Sequence, residues 1–348
     1  MEGTIRSSLP GADFFLLNPN GVIFTASGTL DVRGSVAVST ADQLQFSDGN
    51  FRVTNEAAPW SNGACCTGAP IAYGFTGASP ALAGEPAEIV LGMRTSSNGF
   101  INIPMGEEAS AVGGRITLDR GRITLAGGAL LLAATGHAAV DVPIDLDPAG
   151  GWYAALGPEA AVRLIRGYIY TSNPSNLPSG DGRIVLRGGR LELDLAQVSA
   201  GGPLGGGVDA RFSGDITLAN GSWIHDRSSG PQAQGIWLEG ESLSLDGAAE
   251  IVATAGDIDI HTQGAIRVEN TSEIKTTTAL PNSGAPVDAG NVNLTAGSLT
   301  ILSGGQVSSL TGHGVPAGSD PRAAGDVDIT VAGEVRIAGC LLYTSAAA

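Results

Sequence analysis

Residues that carry chemistry are scarce in this chain. Of 348 residues, 15% are charged and 5% aromatic, and there are four histidines and three cysteines. His137, His225, His261 and His313 are scattered without metal-ligand spacing and read as surface or loop residues. A Gly-x-Ser-x-Gly elbow and a Gly-x-x-x-x-Gly-Lys-[Ser/Thr] loop are both missing, which removes two common catalytic and phosphate-binding signatures. The adjacent Cys65 and Cys66 in "SNGACCTGAP" do not have the Cys-x-x-Cys spacing of a zinc or redox site. Such a pair can close a vicinal disulfide, but the favoured reading is two loop thiols. No enzyme, cofactor or metal is expected from this inventory.

Positive charge is also short. Eighteen Lys plus Arg face 34 Asp plus Glu, a net charge of −16, and no basic stripe forms. Nucleic acid is excluded as a partner, and anionic membrane surfaces would repel the chain; acidity of this degree suits a soluble protein working outside the cell. No apolar run approaches the roughly 20 residues of a membrane span. The start, "MEGTIRSSLPGADFF", lacks the apolar core of a signal peptide, so for a secreted protein the export signal is expected upstream of this sequence.

Glycine, by contrast, is abundant: 52 of 348 residues, against an average of about 7%. With 43% hydrophobic residues the chain has enough apolar surface to offset the entropy of ordering its backbone. Its length allows several domains or one elongated one, and frequent turns with few charges favour the elongated form.

Three segments begin alike: "GDIDIHTQGAIRVENTSEIKT" at Gly256, "GNVNLTAGSLTILSGGQVSSL" at Gly290 and "GDVDITVAGEVRIAG" at Gly325. Apolar residues recur two and four places after each glycine: Ile258 and Ile260, Val292 and Leu294, Val327 and Ile329. A second pair follows: Ile266 and Val268, Leu299 and Ile301, Val335 and Ile337. A third point comes at Ile274 and Val307. These are period-two strands separated by turns. The template also fits from Gln234 (Ile236, Leu238, Leu243, Leu245, Ile251), from Gly182 (Ile184, Leu186, Leu191, Leu193, Val198) and from Gly114 (Ile116, Leu118, Ile123, Leu125, Leu131).

Gln234 and Gly256 are 256 − 234 = 22 residues apart, whereas the next two intervals are 34 and 35. The excess coincides with "TTALPNSGAPVDA" and "TGHGVPAGSDPRA", loops expected to leave at one corner. A unit of three short strands cannot bury its inner face alone, so units must stack. The expected fold is all-β: a parallel β-helix of about 22-residue coils with loop excursions, rising about 4.8 Å per coil. A β-sandwich also has short, regularly spaced strands but does not demand a fixed 22-residue register.

Near the start, "FFLLNPNGVIF" places a rigid corner between two apolar runs, expected to be short buried strands. Pro19 presets φ, Asn18 and Asn20 can bond local backbone, and Gly21 tolerates positive φ. The stretch "LPGADFFLLNPNGVIFTASGTLDVRGSVAVSTADQLQFSDGNFR", residues 9–52, resembles the amino-terminal secretion domain of the filamentous haemagglutinin family, exoproteins of two-partner secretion in Gram-negative bacteria. Asn18, Pro19, Asn20, Gly21, Val22, Ile23 and Phe24 match its Asn-Pro-Asn-Gly-Ile element, with Thr25 where Gly commonly follows Phe; "IAYGFTGASPALAGEPAEIVL" adds to the likeness.

The resemblance implies a right-handed parallel β-helix whose first coils are taken up by the POTRA domains of an outer-membrane β-barrel transporter. It also implies a secreted or surface-associated product, and a sequence that begins late in the secretion domain. Residues 1–110 are read as a partial secretion domain, 111–339 as β-helix stalk repeats, and 340–348 as a non-native-looking tail.

Two outer-surface features remain. Asp257 and Asp259, Asn291 and Asn293, and Asp326 and Asp328 align between repeats and are expected to form a solvated hydrogen-bonded ladder; weak calcium binding or acid–base chemistry is the alternative. Trp152, Tyr153, Tyr168 and Tyr170 are expected to pack in or under the coils rather than bind sugar. The function expected is a secretion module and adhesin or stalk scaffold, with host-cell or surface glycans as further partners. The alternatives are a β-helix carbohydrate-active enzyme and the stalk of a contact-dependent toxin.

Overall fold

The computed structural model describes residues 1–53, 66–77, 84–92, 101–145, 151–172, 182–202, 205–228, 232–278, 287–311, 323–339 and 341–345. Short strands with alternating inward aliphatics pair in parallel with the same strand of the next coil. The first sheet runs over ten strands from Phe14–Leu17 to Val327–Val331, and the second over ten from Val22–Phe24 to Val335–Ala338. A third face is divided: a three-stranded sheet of Thr4–Arg6, Thr29–Asp31 and Ile101–Asn102, then eight strands from Arg122–Ala126 to Leu341–Ser345. Successive strands step from sheet to sheet around a parallel β-helix.

The register is the one the repeat requires. Ile236 pairs with Ile258, Ile258 with Val292, and Val292 with Val327; Ile251, Ile274 and Val307 align likewise on the third face. All but Val327 are at most 1% exposed, so the 22-residue coil and the longer ones share one dry column. The template fit from Gly114 is one sheet out of phase: Ile116 and Leu118 lie in the second sheet and Ile123 and Leu125 in the third. The three strands of a coil read alike, so sequence alone does not fix which comes first. Leu131 points to the other side of its strand, where a second apolar cluster buries it.

That second cluster underlies a four-stranded antiparallel sheet of Gln43–Phe46, Gly49–Arg52, Pro70–Thr76 and Ala139–Pro143. It covers the outer face of the first sheet over the early coils, burying Ala37, Val112, Leu131, Ala133 and Val185 against Leu44, Tyr73, Phe75 and Val142. Residues 341–345, in the tail set apart on sequence, pair in parallel with Gln306–Leu310.

The corner from the third sheet to the first handles the excursions. At one inward register position lie Thr171, Asp226, Thr276 and Ser309, all buried. Thr171 donates to Gly182 O and Thr276 to Gly290 O, and Asp226 accepts from Gly235 N. Ser309 donates to Gly290 O and accepts from Gly325 N. These coils lead into connections 173–183, 227–234, 278–291 and 311–326. Where the connection is short the position is apolar, as at Leu125 and Ala253. A buried polar group must find a partner, and here it holds the returning backbone. At Gly290 and Gly325 that backbone packs so closely on the preceding coil that a Cβ would collide with the carbonyl of Gly256 or Gly290. This explains why each repeat opens on glycine.

Ile260 is fully buried, whereas Ile337 in the outermost coil is 46% exposed. Ile260→Ala should cost about 2–5 kcal/mol, and Ile337→Ala under about 1 kcal/mol, in urea unfolding. Equal costs at the two sites would contradict a column stabilised by coil-on-coil burial.

Candidate functional site: the first coils and the outer faces

The Asn18–Gly21 corner joins the first strands of two sheets. Asn18 Nδ2 donates to Gly21 O (2.9 Å), its Oδ1 accepts from Asn20 N (3.2 Å), and Gly21 N donates to Asn18 O (3.0 Å). Asn18 N donates to Ser39 O of the next coil, tying the corner to the stack. Gly21 has φ +105°, and a Cβ there would lie 2.9 Å from Glu88 O. Pro19 is buried while the side chains of Asn18 and Asn20 face solvent, so Asn18 does the bonding that both asparagines were expected to share.

Val22 and Phe24 enter the core, and Ile23 is 58% exposed on the outer side of the second sheet. Phe14–Leu17, expected to be buried, is half-buried because it forms the end of its sheet. Phe14 and Leu16 pack on the coil interior, and Phe15 and Leu17 reach the cluster beneath the covering sheet, which accounts for four consecutive apolar residues. Thr25 Oγ1 donates to Met1 O, giving the residue in place of the usual glycine a partner.

Within the covering sheet, burial pushes the Tyr73 hydroxyl up to about 12, and its oxygen lies 3.0 Å from Ser110 Oγ. Cys66 is disulfide-bonded, which overturns the reading of it as a loop thiol. Cys65, Cys340 and His313 lie outside the described residues.

Asp259, Asn293 and Asp328 stand in register on the outer face of the first sheet. Asn293 Nδ2 donates to Asp259 Oδ1 (2.8 Å), Asn291 N to Asp257 Oδ1 (2.7 Å), and Asp326 N to Asn291 Oδ1 (2.8 Å). The expected ladder forms from Asp257 to Asp326, with two of these three bonds donated by backbone N–H groups. Among the described residues no three His, Cys, Asp or Glu side chains are grouped to hold a metal.

The four aromatics named from sequence separate into two places. Trp152 and Tyr153 sit in a 3₁₀ turn, Trp152–Ala155, against the first sheet, with Tyr153 buried. Tyr168 and Tyr170 stack on the third face, where Trp223 meets Tyr168 edge-on and stacks on His225 at 4.1 Å. Arg122 lies over Tyr168 and Arg227 over Trp223. Trp223 and His225 escaped the sequence reading because they come from a coil some fifty residues downstream; alignment of the third strands would have found them.

Sequence reading also missed a buried charge cluster. Arg187, 1% exposed, donates to Asp209 Oδ2 (2.8 Å) and Asp209 O (2.8 Å), and Arg211 Nε donates to Asp209 Oδ1 (2.9 Å). Burial alone would raise the Asp209 carboxyl, but the two arginines hold it below its ordinary value. Removing one member of such a buried group leaves an uncompensated charge.

His225 and Asp226, neighbours on Trp223–Asp226, point to opposite sides and titrate in opposite senses. Burial, with Arg227 and Lys275, lowers His225 to about 3, so its contact with Glu250 Oε2 (3.3 Å) is made by a neutral ring. Burial raises Asp226 to about 7 despite bonds from Ser228 N, Ser228 Oγ and Gly235 N. The ordinary values are 6.5 and 3.8.

The stability linked to Asp226 is therefore full below about pH 4 and lost as pH rises through 7. That linked to His225 is full above about 6.5 and lost as pH falls through 3. Asp226→Asn should flatten the decline in unfolding free energy between pH 4 and 7, by an amount on the order of a few kcal/mol. His225→Phe should flatten the decline toward pH 3. Urea unfolding across pH 3.5–8 checks both signs; variants that parallel the parent profile would refute them.

At the corner, Asn18→Ala should cost about 1–2 kcal/mol through two lost hydrogen bonds. Gly21→Ala should cost about 1–3 kcal/mol through backbone strain and the Glu88 carbonyl. Asn20→Ala should change stability by less than about 0.5 kcal/mol. A ranking in which Asn20 matters most would reject this account of the corner.

Residues 1–156 match the family model described as the TPS secretion domain. The matched segment runs past the boundary at residue 110 read from sequence and takes in Ala139–Pro143, the covering-sheet strand paired with Pro70–Thr76. No curated protein matches the chain, and no solved structure does. Residues 1–156 are thus similar to a TPS secretion domain, consistent with a secreted two-partner secretion exoprotein of Gram-negative bacteria such as filamentous haemagglutinin.

Proposed function

We propose that the amino-terminal coils with their covering sheet form the secretion module of an exoprotein, and that the later coils form its elongated, non-enzymatic stalk. The stalk holds an adhesive surface or a distal effector away from the cell. The observation that carries this reading is continuity: strands of the matched segment pair in parallel and in register with strands beyond residue 156 in all three sheets. One stacking rule therefore serves both parts, and a chain emerging from a transporter can add coils one at a time.

The partner in this reading is an outer-membrane β-barrel whose POTRA domains receive the first coils. Main-chain recognition at a strand edge suits these coils, whose backbone groups are otherwise used coil to coil. Asn18–Phe24 serves chiefly to close the first turn in one register, so that later coils have a template. Of the best catalytic candidates, the side chains of Asp257, Asp259, Asn291 and Asn293 are engaged with one another and with backbone, which supports a scaffold rather than an enzyme.

Export is the test. A full-length version expressed in a Gram-negative host with its co-encoded barrel should reach the medium or surface, and deleting the barrel should leave it in the periplasm. Unchanged export without the barrel would overturn the transporter assignment. Polysaccharide cleavage lost in Asp328→Ala would overturn the scaffold assignment.

A further inference from the structure

The outer face of the first sheet changes character along the stack. Over the early coils the antiparallel sheet covers it, and over the last three the Asp/Asn ladder occupies it. Between them the 3₁₀ turn Trp152–Ala155 overhangs the face and leaves a cavity of about 400 Å³. This lies within the roughly 300–1,000 Å³ range of small-molecule sites.

Half-buried Trp237 supplies the aromatic wall, with the buried Tyr153 and Phe212 behind it, and Glu239, His261 and Gln263 supply polar groups. Trp237 is fixed between Arg211, 5.3 Å from its ring, and His261, at 4.6 Å. Glu239 and His261 are register partners on adjacent coils, so their side chains rise side by side. Among the described residues, the side chains of Glu239, His261 and Gln263 make no hydrogen bond, and the buried indole N–H of Trp237 has no partner. Elsewhere on this face Asp259, Asn293 and Asp209 are all bonded. A polar set left open beside aromatic rings, a buried indole N–H among it, marks a place for a ligand.

The composition of the cavity selects the ligand class. Arg211 already occupies a face of Trp237 and disfavours a second cation there, and the Glu239 carboxylate disfavours an anion. A neutral ligand with an apolar face and several hydroxyl groups matches both the rings and the unpaired carboxylate, imidazole and amide. We infer that this cavity binds a neutral pyranose unit of a glycan, with its C–H face against the aromatic wall and its hydroxyls on Glu239, His261 and Gln263. The inference gives the adhesive reading a ligand class and rests on that reading only for its use outside the cell; binding itself is independent of export.

The test uses the purified full chain and saturation-transfer NMR with the methyl glycosides of glucose, galactose, mannose, N-acetylglucosamine and N-acetylgalactosamine. Choline and acetate serve as charged probes. At least one neutral glycoside should show saturation of its ring protons at millimolar concentration. Glu239→Gln and Trp237→Phe, checked for parental thermal unfolding, should each weaken that binding by about tenfold or more. Gln263→Ala, at an exposed position, provides a variant with little risk to the fold and should weaken it as well. Trp223→Phe on the third face should leave it unchanged.

No neutral glycoside binding, binding of choline or acetate alone, or binding unaltered in Glu239→Gln and Gln263→Ala would overturn the inference. Each of these results can be obtained with barrel-dependent export intact, which keeps failure of the site distinct from failure of the secretion reading.

Discussion

An inward aliphatic side chain in this molecule is dry only because the same position on the neighbouring coil is filled. Ile236, Ile258 and Val292 bury one another in series, and no single coil could do so alone. Each contributes roughly 1.5–3 kcal/mol on full burial, so the stability of the shaft scales with the number of coils in register. The parallel ladders and the glycine corners all serve that register. Where stacking is one-sided, as at Val335 and Ile337, the same residue types remain half exposed.

The shaft was the most legible part of the sequence, since a period of two within strands and of about 22 between coils leaves little freedom. Phase was less legible: Ile116 and Leu118 look like a first strand and belong to the second sheet, because each strand obeys the same local pattern. The covering sheet escaped entirely. Its pairing of Pro70–Thr76 with Ala139–Pro143 joins segments far apart in sequence, and nothing periodic links them. Its trace is apolar residues such as Phe15, Leu17, Leu131 and Val185 on the outer side of first-sheet strands.

Side-chain pairing was legible where the repeat itself aligned the residues, as for Asp259 and Asn293, and hidden where it depended on spatial convergence. Arg187 and Asp209 are an example: a buried arginine looks on sequence like any surface charge. The overhanging cavity is another, because Tyr153 comes from a connection while Trp237 and His261 come from later coils. At the Asn18–Gly21 corner the reading of turn chemistry was right in kind. The structure assigns the bonding to Asn18 and the steric demand to Gly21.

The polar residues at the third-to-first corner have a consequence for how such a shaft can change. Thr171, Asp226, Thr276 and Ser309 grip the chain at the point where it re-enters the stack. The next rung is therefore placed by the returning backbone. Decoration can lengthen, shorten or be exchanged at these points while the pitch of the shaft stays constant, much as brackets are hung on a mast without altering it.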